Sequence, residues 1–307
     1  MAIENEREIL ETIRSDDTDK MASLLDASPN VEQLFKSIIS IDNPSNHAFG
    51  RSATLLQYAS FRPDRSKEVA SLLVERGATL DLHSACGLGK TKQIEQILAD
   101  TPEAKNEQVD SYFPVQFAIA AKQAESIARL MQSGDDPNKD LRKVAYFGWE
   151  DETIDTDYQP WKPIHMASLW GFDATRIPVA KCLIENGADL NAVSPLDGFR
   201  PIHLVAMPNR VDMIRFFVEN GIDVDSRTEQ CKIIVTSKEN SGPIRGFGCT
   251  PLMVACGEGF VEATECLLEL GADINAVNDD GKTALDFAEQ RFWNGQPYDQ
   301  VIKVLTG

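Results

Sequence analysis

The sequence predicts an all-α repeat solenoid, made of short helix pairs that stack on one another. Three observations predict it. Gly248 to Asn278, GCTPLMVACGEGFVEATECLLELGADINAVN, reads as two helices joined by a turn. Thr250 is a suitable N-cap and Pro251 fits the first helical position, where a missing N–H costs nothing, while Gly257 and Gly259 end the helix. Ala263, Cys266, Leu267 and Leu270 then fall at helical spacing on one side of a second helix that Gly271 stops. Two such helices cannot bury that stripe alone, so a copy must stack on them. The copies are the second observation: Thr250 recurs as Thr283 in GKTALDFAEQ, 33 residues on. The third is the block x-P-I-H-x-A, found in WKPIHMASLWG (Trp161 to Gly171) and again in FRPIHLVAMPN (Phe199 to Asn209).

Taken in order, residues 1–41 read as an N-terminal helical cap. Ile9, Leu10 and Ile13 form one apolar stripe and Met21, Leu24 and Leu25 another, around the turn Ser15, Asp16 and Asp17. The remaining side is polar, as an end repeat requires. Val31 to Ile41 continues with an amphipathic helix. From residue 53 to 307 about seven units follow. ATLLQYASF (Ala53 to Phe61) and a second helix ending at Gly77 form the first. Leu82 to Pro102 keeps Leu-His-x-Ala-Cys, and Phe113 to Asn138 has Gln116 in the histidine place, with Lys122 where the turn glycine belongs. Cys182 to Ala192 and Phe216 to Asp225 are second helices with their terminators. Val301, Ile302 and Leu305 supply the closing stripe.

The Thr-Pro-Leu-His block, the glycine between the helices and the Gly-Ala-Asp-x-Asn tail together resemble the ankyrin-repeat family, whose period is about 33 residues. The shorter, degenerate units are similar to those of microbial ankyrin proteins. The resemblance implies helix pairs joined by hairpin loops, no catalysis and no cofactor, and a single domain spanning 1–307. Three insertions break the period: a four-residue lengthening at Phe172 to Pro178, and two longer ones, where Pro114 to Pro163 takes 49 residues and Pro201 to Pro251 takes 50. The longer two map to 141–160, which carries Tyr146, Phe147, Trp149 and an acidic run, and to 226–248, where CKIIVTS suggests an extended finger. Long loops on a rigid scaffold carry function more often than core positions do.

The resemblance also implies a binding surface. The two residues before each turn glycine would face a concave groove, which selects Phe61, Arg62, Leu88, Leu169, Trp170, Met207 and Glu258. Loop tips at Trp149, Glu150, Asp151, Asp197, Asp279 and Asp280 would rim it with negative charge. The expected ligand is a protein partner bound through the groove and the long loops. The expected roles are inhibitor or immunity protein, regulatory adaptor, or secreted effector acting on host proteins.

Charge agrees with that surface. Thirty Lys and Arg stand against 48 Asp and Glu, a formal charge of −18. Such a surface repels nucleic acid and anionic membranes and attracts a basic partner at long range. No run of about 18 apolar residues and no basic-then-apolar leader occurs, so the expectation is a soluble cytoplasmic protein, with a monomer favoured. Six scattered cysteines without C-x-x-C point to reduced core thiols.

Chemical motifs are few. SACGLGKT (Ser84 to Thr91) ends like a phosphate-binding loop, but Ser84 replaces its first glycine and a helix precedes it in place of a strand. A small-molecule or nucleotide site near Lys90, or near Trp149 and Trp161, is the alternative reading. His83, His165 and His203 all take the fourth position of the repeated block and are expected to be structural, with no metal site.

Overall fold

The computed structural model describes residues 2–36, 53–61, 66–109, 111–141, 160–169, 176–194, 198–229, 247–290 and 295–307. Their regular structure is helical, with no strand among the described residues, as an all-α repeat solenoid requires. They group into two compact units, Met1–Glu152 with Lys181–Asn186, and Thr153–Ala180 with Gly187–Gly307.

Unit 1 holds α1 (Ala2–Ser15), α2 (Thr18–Asp26), α3 (Val31–Lys36), α4 (Leu55–Phe61), α5 (Lys67–Glu75), α6 (Leu82–Gly87), α7 (Thr91–Asp100), a 3-10 turn (Pro102–Asn106), α8 (Pro114–Ala120) and α9 (Ala124–Gln132). First helices stack on first helices, α4 on α6 and α6 on α8, while second helices pair as α2 with α5 and α7 with α9. The stripes of the N-terminal helices serve as expected: Ile9, Leu10, Ile13, Met21 and Leu25 are buried against Leu55, Leu56, Val69 and Leu73. Asp16, with φ +53, turns α1 into α2, and its carboxylate accepts the N–H groups of Glu68 (3.2 Å) and Val69 (2.8 Å) at the start of α5. A turn residue of one pair thus caps a helix of the next.

Unit 2 holds α10 (Pro163–Leu169), α11 (Ile177–Glu185, of which residues 181–185 group with unit 1), α12 (Pro201–Ala206), α13 (Val211–Glu219), α14 (Pro251–Glu258), α15 (Val261–Glu269), α16 (Ala284–Glu289) and α17 (Tyr298–Thr306). The stacking is the same: α10, α12, α14 and α16 in one row, α13, α15 and α17 in the other. Asn209 (φ +60) repeats the role of Asp16, its Oδ1 accepting the Ala263 N–H at 3.0 Å while its amide donates to Glu262. Ala263, Cys266 and Leu267 of α15 are buried as their spacing predicts, and a buried Leu contributes about 1.5–3 kcal/mol. Helix α14 runs through Gly257 and stops only at Gly259, in the left-handed conformation. The five described cysteines are buried free thiols.

One position does what no periodicity argument reveals. A Cβ on Gly87 would lie 2.1 Å from the Ser60 carbonyl oxygen, so α6 rests on α4 with no side chain between them. Helices α4 and α8 then touch each other as well, on either side of α6. Phe61 reaches across to meet Tyr112 (ring centroids 5.1 Å apart) and Phe117 (4.9 Å) edge to face.

Candidate protein-binding surface

Six repeats open with the same hydrogen bond made by different chemistry. The backbone N–H just before the helix donates to the side chain three residues on: Thr54 to Gln57 Oε1 (2.8 Å), Phe113 to Gln116 Oε1 (2.9 Å), Lys162 to His165 Nδ1 (3.0 Å), Arg200 to His203 Nδ1 (3.2 Å), Thr250 to Met253 Sδ (3.4 Å) and Thr283 to Asp286 Oδ2 (2.7 Å). The requirement is an acceptor, and imidazole is one of four ways to meet it. All three histidines donate from Nε2 to a carbonyl of the following loop, His83 to Tyr112 (3.2 Å), His165 to Ala192 (2.9 Å) and His203 to Cys249 (3.0 Å), and for His165 and His203 this is a second bond. Gln57 reaches the following loop too, its Nε2 donating to the Asp81 carboxylate. Burial lowers all three histidine pKa values, to about 4 for His165 and His203. These rings are neutral at pH 7 and fasten one repeat to the next.

The groove positions come out differently from the sequence reading. Phe61 and Leu169 are 2% and 3% exposed and belong to the core. The cause is packing: at these positions the first residue of the pair lies along the stack against the neighbouring repeat. Gly87, Ala120 and Gly257 are buried for the same reason, whereas the second residues Leu88, Ala121 and Glu258 are partly exposed, as is Met207, the first of its pair. Leu88 also packs on the core of the first repeats. Asp279 and Asp280 are exposed on their loop. Arg62, Trp149, Glu150, Asp151, Trp170 and Asp197 lie outside the described residues, as does most of both insertions.

The alternative chemistry finds little support among the described residues. Lys90 follows helix α6 and precedes α7, with its N–H bonded back to Ala85 O at 2.9 Å, so the strand of a phosphate-binding loop is absent there. Trp161 is 8% exposed and packs edge-on to His165. No described group of His, Cys, Asp or Glu is arranged to hold a metal ion. No described helix is long and apolar enough to cross a membrane.

Sequence reasoning missed the arginines that bind the loops of unit 2 together. Arg200 donates to Arg227 O (3.1 Å), to Asn191 O and to Glu229; Arg227 in turn donates to Val277 O (2.7 Å) and to Asp279 (3.4 Å). Each arginine reaches forward to the next loop and is met there by a carboxylate. Also missed were Phe247 and Val277, 39% and 45% exposed, the large apolar residues that stand in solvent among those described. The available signal was an apolar residue beside a polar turn, in IRGFG and NAVNDDG.

Family descriptions of ankyrin repeats match residues 164–218 ("many copies") and 226–305 ("3 copies"). The chain is an ankyrin-repeat protein. It is similar to ankyrin repeat protein nuc-2 of Neurospora crassa, 25% identical over 78% of this chain and 19% of that protein. It is also similar to mouse protein phosphatase 1 regulatory subunit 27, 27% identical over 34% of this chain and 55% of that protein. The chain thus spans about a fifth of the length of the first relative and about half of the second. The crystal structure of the human ASB11 ankyrin repeat domain superposes with a TM-score of 0.53 at 19% identity, covering 83% of this chain and 99% of that one, and shares its fold.

Proposed function

We propose that this chain is a non-enzymatic protein-binding module, monomeric and cytoplasmic, that takes a partner with a basic surface. The observation that carries the reading is the row of partly exposed residues before the described turns, Leu88, Met207 and Glu258 among them, beside loops rich in exposed carboxylate. Ankyrin repeats serve generally as protein-interaction modules, and the similarity to a phosphatase regulatory subunit agrees with a regulatory role, either masking a partner as an inhibitor or immunity protein does, or positioning it as an adaptor does. Trp170, with Arg62, Trp149, Glu150, Asp151 and Asp197, belongs to the same proposed surface.

The test is capture of a partner on immobilised full-length chain, comparing wild type with the Met207→Ala/Trp170→Ala double variant. A stoichiometric partner whose retention drops roughly tenfold in the variant, a typical loss for an interface anchor, supports the groove. The captured protein's own activity then separates inhibitor from adaptor. Capture of nothing under any condition would end the reading.

A further inference from the structure

We propose that the loop tips carrying Phe247 and Val277 form a docking patch for a short basic protein segment with an apolar side chain set among its cations. The inference rests on the protein-binding reading and narrows it to one place and one chemistry.

Two exposed apolar residues mean little when scattered; here backbone bonds hold them on neighbouring tips. The Asp279 N–H donates to Phe247 O at 3.0 Å, and Arg227 donates to Val277 O at 2.7 Å. Gly248 (φ +73) makes the close approach possible, because a Cβ there would fall 2.3 Å from Asp279 Oδ1 and 2.8 Å from Arg227 Nη2. The Arg227–Asp279 ion pair therefore lies over the backbone beside Phe247 and ties both tips into a platform. A platform fixed before binding loses little conformational freedom when a ligand arrives.

Charge selects the ligand. The described loops at 221–229 and 271–283 carry six carboxylates, Asp223, Asp225, Glu229, Asp273, Asp279 and Asp280, against Arg227 and Lys282. Arg227 is paired with Asp279 and Arg200 with Glu229, which leaves Asp223, Asp225, Asp273 and Asp280 against Lys282, so the field around the patch is negative. Asp225 shows the crowding: burial first, then Asp223 and Asp273, hold its carboxyl above the usual range, against the lowering bond from the Asp273 N–H. An acidic or neutral segment would gain only the apolar contact, and a basic one without an apolar residue only the charge. A segment with both gains both, and the charged part should weaken with salt.

Random-peptide phage display on the immobilised full chain supplies the probe. Enriched peptides are then titrated by fluorescence polarisation against wild type, Phe247→Ser/Val277→Ser, Val277→Ser alone and Asp280→Lys, each checked for an unchanged melt. The expected hits carry an apolar residue flanked by Lys or Arg. They bind the double serine variant roughly tenfold more weakly or worse, and the single variant between it and wild type. They bind Asp280→Lys several-fold more weakly at about 50 mM salt, with the difference closing near about 500 mM. Enrichment of peptides without cations, binding within about twofold across the variants, or no enrichment overturns the proposal. So does a dimer in sedimentation that the serine variant dissolves, because the occupant would then be a second copy. Hits that ignore these variants but are lost in Met207→Ala/Trp170→Ala leave the module reading standing and remove the patch alone.

Discussion

His165 and His203 put a pH dependence into the stack. Both are neutral in the folded chain, with pKa values brought down by burial from 6.5 to about 4. Their contribution is whole above pH 6.5 and is lost as pH falls from 6.5 towards 4, because in that window the unfolded chain takes up protons that the folded chain refuses. The loss approaches on the order of 3 kcal/mol per ring by pH 4, since each tenfold difference in proton affinity between folded and unfolded chain is worth about 1.4 kcal/mol. Gln57 and Gln116 make the same N–H bond without titrating. Urea unfolding from pH 7 to 4 should therefore give a steep decline for wild type and a much shallower one for His165→Gln/His203→Gln. The histidine positions and their structural role were legible in the repeated block. Their equivalence to Met253 and Asp286 was not, because spelling hides a shared acceptor geometry.

At the scale of elements, helix starts, apolar stripes and repeat order were readable, since Thr250, Pro251 and the spacing Ala263, Cys266 and Leu267 act locally. What failed was the direction of the residues before each turn. Phe61 and Leu169 look like surface anchors by position and are core by packing, a distinction set by how closely neighbouring helices approach. Gly87 fixes that approach between α4 and α6. In Gly87→Ala the new methyl meets the Ser60 carbonyl, and backbone cannot rotate aside as a side chain can. Destabilisation of about 1–3 kcal/mol is expected, the usual cost of overpacking, measurable as a lowered urea midpoint with an unchanged slope. The gain in helix propensity from glycine to alanine works the other way by under about 1 kcal/mol, so overpacking wins.

For the whole molecule, a formal charge of −18 sets the rate at which a partner arrives more than the strength with which it stays. Stopped-flow association with a basic partner should slow at least tenfold between about 50 and 500 mM salt, with dissociation changing far less. An equal change in both constants would place the charges inside the contact and not around it. Composition alone carried this expectation. Where the charges cluster, and that Arg200 and Arg227 cross from loop to loop, depended on contacts between residues 27 to 52 positions apart. The same long reach bears on how such a chain can change length in evolution. Repeat arrays gain and lose whole units readily when each unit knows only its neighbours. The ring of Phe61 meets Phe117 across an intervening repeat, so duplicating or deleting the α6–α7 pair would strand both aromatics. At that point the array is a fixed set of three, inherited together or not at all.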